Sequence, residues 1–153
     1  MLHSPIRLFS FIGVLFLTQT AFAQTEAEEG KVNWFGDKDQ CATYAQENHK
    51  NILMVFAGSD WCKPCMQFKK DILLQPEFSA YSKEHLAILY LDFPMKKKNK
   101  LPEEQTKHNE ALAEQYNKGG SFPKIVLMDE KMNVIKELKY TRQSAEDFIK
   151  SLE

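Results

Sequence analysis

The chain has 153 residues, 43% hydrophobic and 27% charged, with a formal net charge of −1. That is an ordinary globular balance, which excludes a disordered chain and a polytopic membrane protein. Twenty Lys and Arg against 21 Asp and Glu give no electrostatic reason to expect nucleic acid as a partner, and the length suffices for one domain with a real core.

The first residues differ in kind from the rest. A short start containing Arg7 leads into the apolar run LFSFIGVLFL at 8–17, then into TQTAFA with small residues at Ala21 and Ala23. This order of charged, apolar and small-residue regions predicts a secretory signal peptide over 1–23, cut after Ala23. The apolar core is about half the roughly 20 residues that a spanning helix needs. Residue 24 is Gln, so the new N-terminus lacks the cysteine on which a lipoprotein is acylated. The expectation is an exported protein, periplasmic or secreted, that starts near Gln24 with a polar tail over 24–31 and one domain over 32–153.

In chain order, VNWF at 32–35 reads as a short strand. The segment 37–50 has acids first, a basic end, and Cys41, Tyr44 and Ala45 spaced to share one helical face. Cys41 is then a small buried hydrophobe, a common role for a free cysteine. ILMVFA at 52–57 and HLAILYLDF at 85–93 are continuous apolar runs, the pattern of strands buried on both faces. Between them, Cys65, Phe68 and Ile72 recur at helical spacing, and Pro76 marks a break or restart. KKKNK at 96–100, between Pro94 and Pro102, reads as a solvated basic loop; the alternative is a docking patch for an acidic partner. A helix follows, ending at Lys118 and two glycines. KIVLMD and VIKELKY are two strands joined by a short turn, and Ser144 with Asp147 opens a final helix by a capping box. The order βαβαβαββα predicts an α/β layer fold.

Three cysteines in an exported chain suggest one pair and one spare thiol. Cys62 and Cys65 in GSDWCKPC (58–65) fall where a strand has ended and a helix begins, and the carboxyl ends of parallel strands are where sites form. A helix N-terminus carries unsatisfied N–H groups and about half a positive charge, which stabilises a thiolate. Lys63 adds a cation, and Pro64 is tolerated in the first turn. Both effects lower the Cys62 pKa from about 8.5, making it the activated outer thiol with Cys65 one turn further in. Three readings stand: redox exchange, a metal site and a structural staple. One Cys-x-x-Cys supplies only half of a structural zinc set, and His49, His85 and His108 are isolated. Redox chemistry is favoured, with no metal and no cofactor.

WCKPC at 61–65 resembles the thioredoxin active-site motif, and SFPK at 121–124 resembles its second signature, a proline held in cis before a strand. The resemblance covers roughly 32–153, and FAGSDWCKPC with the later LDFP and GGSFP is similar to exported bacterial thioredoxin-like proteins. It implies a thioredoxin fold, a central mixed sheet flanked by helices. It further implies Cys62 as the attacking thiol, Cys65 as the resolving thiol, Trp61 beside the disulfide, and Pro123, in cis after Phe122, presenting backbone to an extended substrate segment. Two positions depart from the family. Val55 and Ile88 stand where a buried acid and a lysine are usual, which leaves Asp60 or solvent to take the Cys65 proton. Phe122 is bulkier than the usual residue before the cis proline. The implied function is a protein thiol-disulfide oxidoreductase acting outside the cytoplasm. Lys-Pro between the cysteines points to a reductase or isomerase, a monomer fed by a membrane thiol reductant. The alternative of another class is a binding module, or a Cu(I) protein using the same two thiolates.

Overall fold

A computed structural model describes residues 33–153; the expected signal peptide, cleavage point and polar tail, together with Val32, lie outside the described residues. Five strands form one mixed sheet in the order β1-β3-β2-β4-β5. They are β1 (Trp34–Phe35), β2 (Asn51–Ala57), β3 (Leu86–Asp92), β4 (Lys124–Met128) and β5 (Val134–Leu138). β1, β3 and β2 run parallel, and β4 is antiparallel to both β2 and β5.

The continuous apolar runs are the central strands because each face of the sheet is covered. Along β2, Leu53, Val55 and Ala57 face a core shared with Cys62, Cys65, Phe68, Phe78 and Phe148. Ile52, Met54 and Phe56 face a second core that holds Cys41, Ala45 and Leu112. Helices α1 (Lys38–Glu47) and α4 (Glu103–Tyr116) therefore cover one face, and α2 (Lys63–Phe68), α3 (Pro76–His85) and α5 (Ala145–Lys150) the other. Cys41 is fully buried in this arrangement, and burial pushes its thiol pKa up to about 12, the behaviour of a packing residue.

The expected order of elements holds, with two local differences. The segment after the cysteines does not continue as plain α-helix: α2 runs into a π-helical turn over Lys69–Leu73 before Pro76 restarts the chain as the first residue of α3. His85 closes α3 rather than opening β3, its ring stacked on Tyr81 one turn back at 4.5 Å. Asn117 follows α4 and holds the next loop, its side-chain amide donating to the Ser121 carbonyl and its oxygen accepting the Ser121 N–H. That loop delivers the cis Phe122–Pro123 peptide to the start of β4.

Candidate active site

β2 ends at Ala57 beside the end of β3, and the chain leaves the sheet through Gly58, Ser59, Asp60 and Trp61. Each residue of that loop is tied down. The Ser59 N–H and hydroxyl donate to the two carboxylate oxygens of Asp92, at 2.8 and 2.6 Å. The Trp61 indole N–H donates to the Phe93 carbonyl at 2.6 Å. A Cβ at Gly58 would lie 2.7 Å from Trp61 Cζ2 and closer still to Cε2, so glycine there is what lets the indole approach the backbone so closely.

The loop places Cys62 as the N-cap of α2, with its N–H donating to the Gly58 carbonyl at 3.0 Å. Cys62 Sγ accepts the Cys65 N–H at 3.2 Å, and the two cysteines are joined in a disulfide with Cα atoms 5.3 Å apart. The thiol expected to be exposed is covered in this oxidised state. Cys62 is only 4% exposed against 1% for Cys65, because its sulfur is turned inward to its partner and to the helix N–H. Lys63 and Pro64 occupy the first exposed turn of α2.

Pro123 arrives from the other side of β2. The register pairs Phe56 with Lys124, which sets Pro123 at the level of Ala57, where the cysteine loop departs. Phe122 meets the Trp61 ring edge-on, with centroids 5.2 Å apart, and packs on Phe93 at 5.5 Å. The residues named from sequence as substrate-binding, Trp61, Phe122 and Pro123, are thus drawn together around the disulfide.

Val55 and Ile88 are both fully buried in the core that contains the cysteines, so at those two positions the wall behind Cys65 offers aliphatic carbon and no titratable group. Asp60 turns elsewhere. Its carboxylate accepts the N–H groups of Met95 and Lys96 and the amide of Asn99, at 2.9, 3.0 and 2.8 Å. These donors, the Met95 N–H foremost, hold the Asp60 pKa below the usual carboxylate range. Sequence reasoning missed this clamp, as it missed Gly58, Asp92 and Asn117. The partners of Asp60 lie more than thirty residues downstream, beyond the reach of local spacing, although GSD directly before an aromatic and a cysteine was itself a signal of a shaped turn. Among the described residues no three His, Cys, Asp or Glu side chains cluster as metal ligands would, and no helix is long and apolar enough to cross a membrane.

Known proteins resemble this chain. The chain is 32% identical over 132 residues to the disulfide bond reductase DsbH of Chlamydia pneumoniae, covering 78% of this chain and 77% of that protein. A solved structure of a DsbH oxidoreductase superposes with a TM-score of 0.71 at 28% identity, over 85% of this chain and 89% of the other. The solution structure of a thioredoxin from Thermus thermophilus superposes with a TM-score of 0.59 at 18% identity, over 79% and 84% of the two chains, a likeness of fold. A sequence model described as a thioredoxin-like domain matches residues 38–153, and with the geometry above this places the chain in the thioredoxin-like family.

Proposed function

We propose that this protein is an extracytoplasmic thiol-disulfide oxidoreductase that reduces or isomerises disulfides in other proteins. The observation that carries the reading is the Cys62–Cys65 disulfide at the N-cap of α2, beside a cis proline at the start of β4. Likeness to a disulfide bond reductase supports the reducing direction. The apolar segment 8–17 and the small-residue site ending at Ala23 support export.

In the reduced protein, the Cys65 N–H and the end of the α2 dipole favour a Cys62 thiolate. That thiolate attacks one sulfur of a substrate disulfide, forming a mixed disulfide as the second substrate sulfur leaves as a thiolate. Cys65 then gives up its proton and attacks Cys62 Sγ. This closes the Cys62–Cys65 bond and releases the first substrate sulfur as a thiolate; both substrate thiolates take up protons from solvent, and two electrons have passed from protein to substrate. Solvent takes the Cys65 proton, since Asp60 is made a weaker base by its three donors. Pro123 and Phe122 hold the substrate segment as an extra strand, a mode that depends on backbone more than on sequence. Two electrons from a membrane-bound dithiol return the pair to its reduced form.

Replacing Cys65→Ser tests the mechanism, because it removes the resolving step and leaves the attacking thiol. Incubated with an oxidised protein such as insulin, the variant is expected to accumulate a mixed disulfide through Cys62, visible as a mass shift that dithiothreitol reverses. An empty trap, together with no insulin reduction by the wild type, would count against the reading.

A further inference from the structure

The basic loop, read from sequence as solvated with a docking patch for an acidic partner as the alternative, lines a groove that begins at Trp61, next to Cys62. The groove has a volume of about 510 Å³, and its apolar floor is made by Trp61, Phe93, Leu101 and Phe122. Two of these, Trp61 and Phe122, are the side chains packed edge-to-face next to the cysteines. Lys96, Lys97 and Lys100 also line the groove, and all three are exposed. Among the described residues, none of the ion pairs involves them. Of the acids on the lining, Asp92 accepts from Ser59; Asp60, outside the lining, accepts from the loop backbone and Asn99. Glu110 of α4 is the second carboxylate on the lining, so three lysine cations outnumber two carboxylates there. Met95, 74% exposed, adds an apolar contact at the lip.

The loop is also fixed in place. Three hydrogen bonds to Asp60, two residues before Cys62, couple it to the active-site turn. From this we infer that the groove is a substrate subsite selecting an extended protein segment that carries a bulky apolar side chain and acidic residues next to its disulfide cysteine. The inference rests on the oxidoreductase reading and adds a substrate class to it. The apolar floor receives the side chain, and the three lysines meet the carboxylates. A cation in place of those carboxylates meets like charge at short range, which slows encounter. The chemistry is the exchange described above: the reduced dithiol becomes the Cys62–Cys65 disulfide while the substrate disulfide becomes two thiols.

The test uses single-turnover mixing of the dithiol form with three short peptides, each bearing one cysteine disulfide-linked to 2-mercaptoethanol. The cysteine is flanked by Asp and Phe, by Lys and Phe, or by Asp and Ser. Neutral bis(2-hydroxyethyl) disulfide serves as a substrate that engages no subsite. The Asp/Phe peptide is expected to react at least about tenfold faster than the Lys/Phe peptide at low ionic strength, with the ratio shrinking several-fold in about 0.5 M salt. It should also outpace the Asp/Ser peptide, by roughly fivefold for the lost aromatic contact. Joint replacement of Lys96→Ser, Lys97→Ser and Lys100→Ser is expected to bring the Asp/Phe to Lys/Phe ratio within about twofold. Equal rates for the three peptides, with the neutral disulfide still reduced, overturn the subsite and leave the oxidoreductase reading intact. Failure to reduce the neutral disulfide overturns that reading and the subsite with it.

Discussion

Among single residues, Gly58 has the strictest requirement. Its Cα lies under the Trp61 indole, and a methyl group there would sit 2.7 Å from Cζ2 and closer still to Cε2 and Nε1. Trp61 cannot simply move aside, because its N–H is bound to the Phe93 carbonyl and its face abuts Phe122. Gly58→Ala is therefore expected to cost about 1–3 kcal/mol by overpacking, read as a lower urea midpoint. It should also change the Trp61 fluorescence and slow peptide disulfide reduction more than reduction of a small neutral disulfide. A Gly58→Ala protein with unaltered midpoint and emission would mean that the ring is not held as described. Asp60 shows the same dependence on distant neighbours. From sequence it is a carboxylate near two cysteines and reads as a candidate base. In space its oxygens are filled by a loop that begins at Pro94, and it positions that loop.

At the scale of elements, the hydrophobic pattern carried most of the information. β2 and β3 were legible because burial on both faces demands uninterrupted apolar runs, and α1 because Asp37 caps its first turn by accepting the Gln40 N–H at 2.8 Å. The π-helical turn at Lys69–Leu73 was not legible: KKDIL has the composition of ordinary helix, and the hydrogen-bond shift it marks leaves no signature in residue type. The groove beside Trp61 was not legible either, since it depends on three segments meeting, and a lysine run looks the same in solvent as at a site. The final helix was read through its cap. Ser144 Oγ accepts the Asp147 N–H at 3.1 Å, fixing α5 so that Phe148 packs on Phe68 and Phe78 at centroid distances of 5.2 and 6.1 Å. Ser144→Ala is expected to lower stability by about 1 kcal/mol, with little change in disulfide exchange, since the lost bond lies within the first turn of α5 itself. Urea unfolding and insulin reduction, measured side by side, check both parts.

For the molecule as a whole, the fully buried Cys41 and the half-buried Tyr90 are two of the weak acids that set an alkaline limit. Burial pushes both the Cys41 thiol and the Tyr90 hydroxyl up to about 12. Below about pH 8.5, both groups are protonated whether the chain is folded or not, and they add no pH dependence. Above that, the unfolded chain releases protons that the native state retains, so the unfolded state binds fewer and stability falls as pH rises. Each group contributes a slope of about 1.4 kcal/mol per pH unit between its unfolded and folded pKa values. Stability is expected to decline from near pH 9 for Cys41 and from near pH 10 for Tyr90, flattening towards about 12. Denaturant midpoints across this range measure the decline, and Cys41→Ala should remove its lower-pH portion. An identical profile in that variant would show that Cys41 does not titrate on unfolding.

The disulfide joins residues only three apart in sequence, and that small ring says what the bond is for. A cross-link restrains an unfolded chain in proportion to the logarithm of the loop it closes, so a four-residue loop contributes roughly 2 kcal/mol where one of 100 residues gives about 4.7. Opening and closing this bond leaves the sheet and its two cores to hold the architecture by themselves. The protein thereby exchanges electrons through a cross-link of the kind that restrains its chain least.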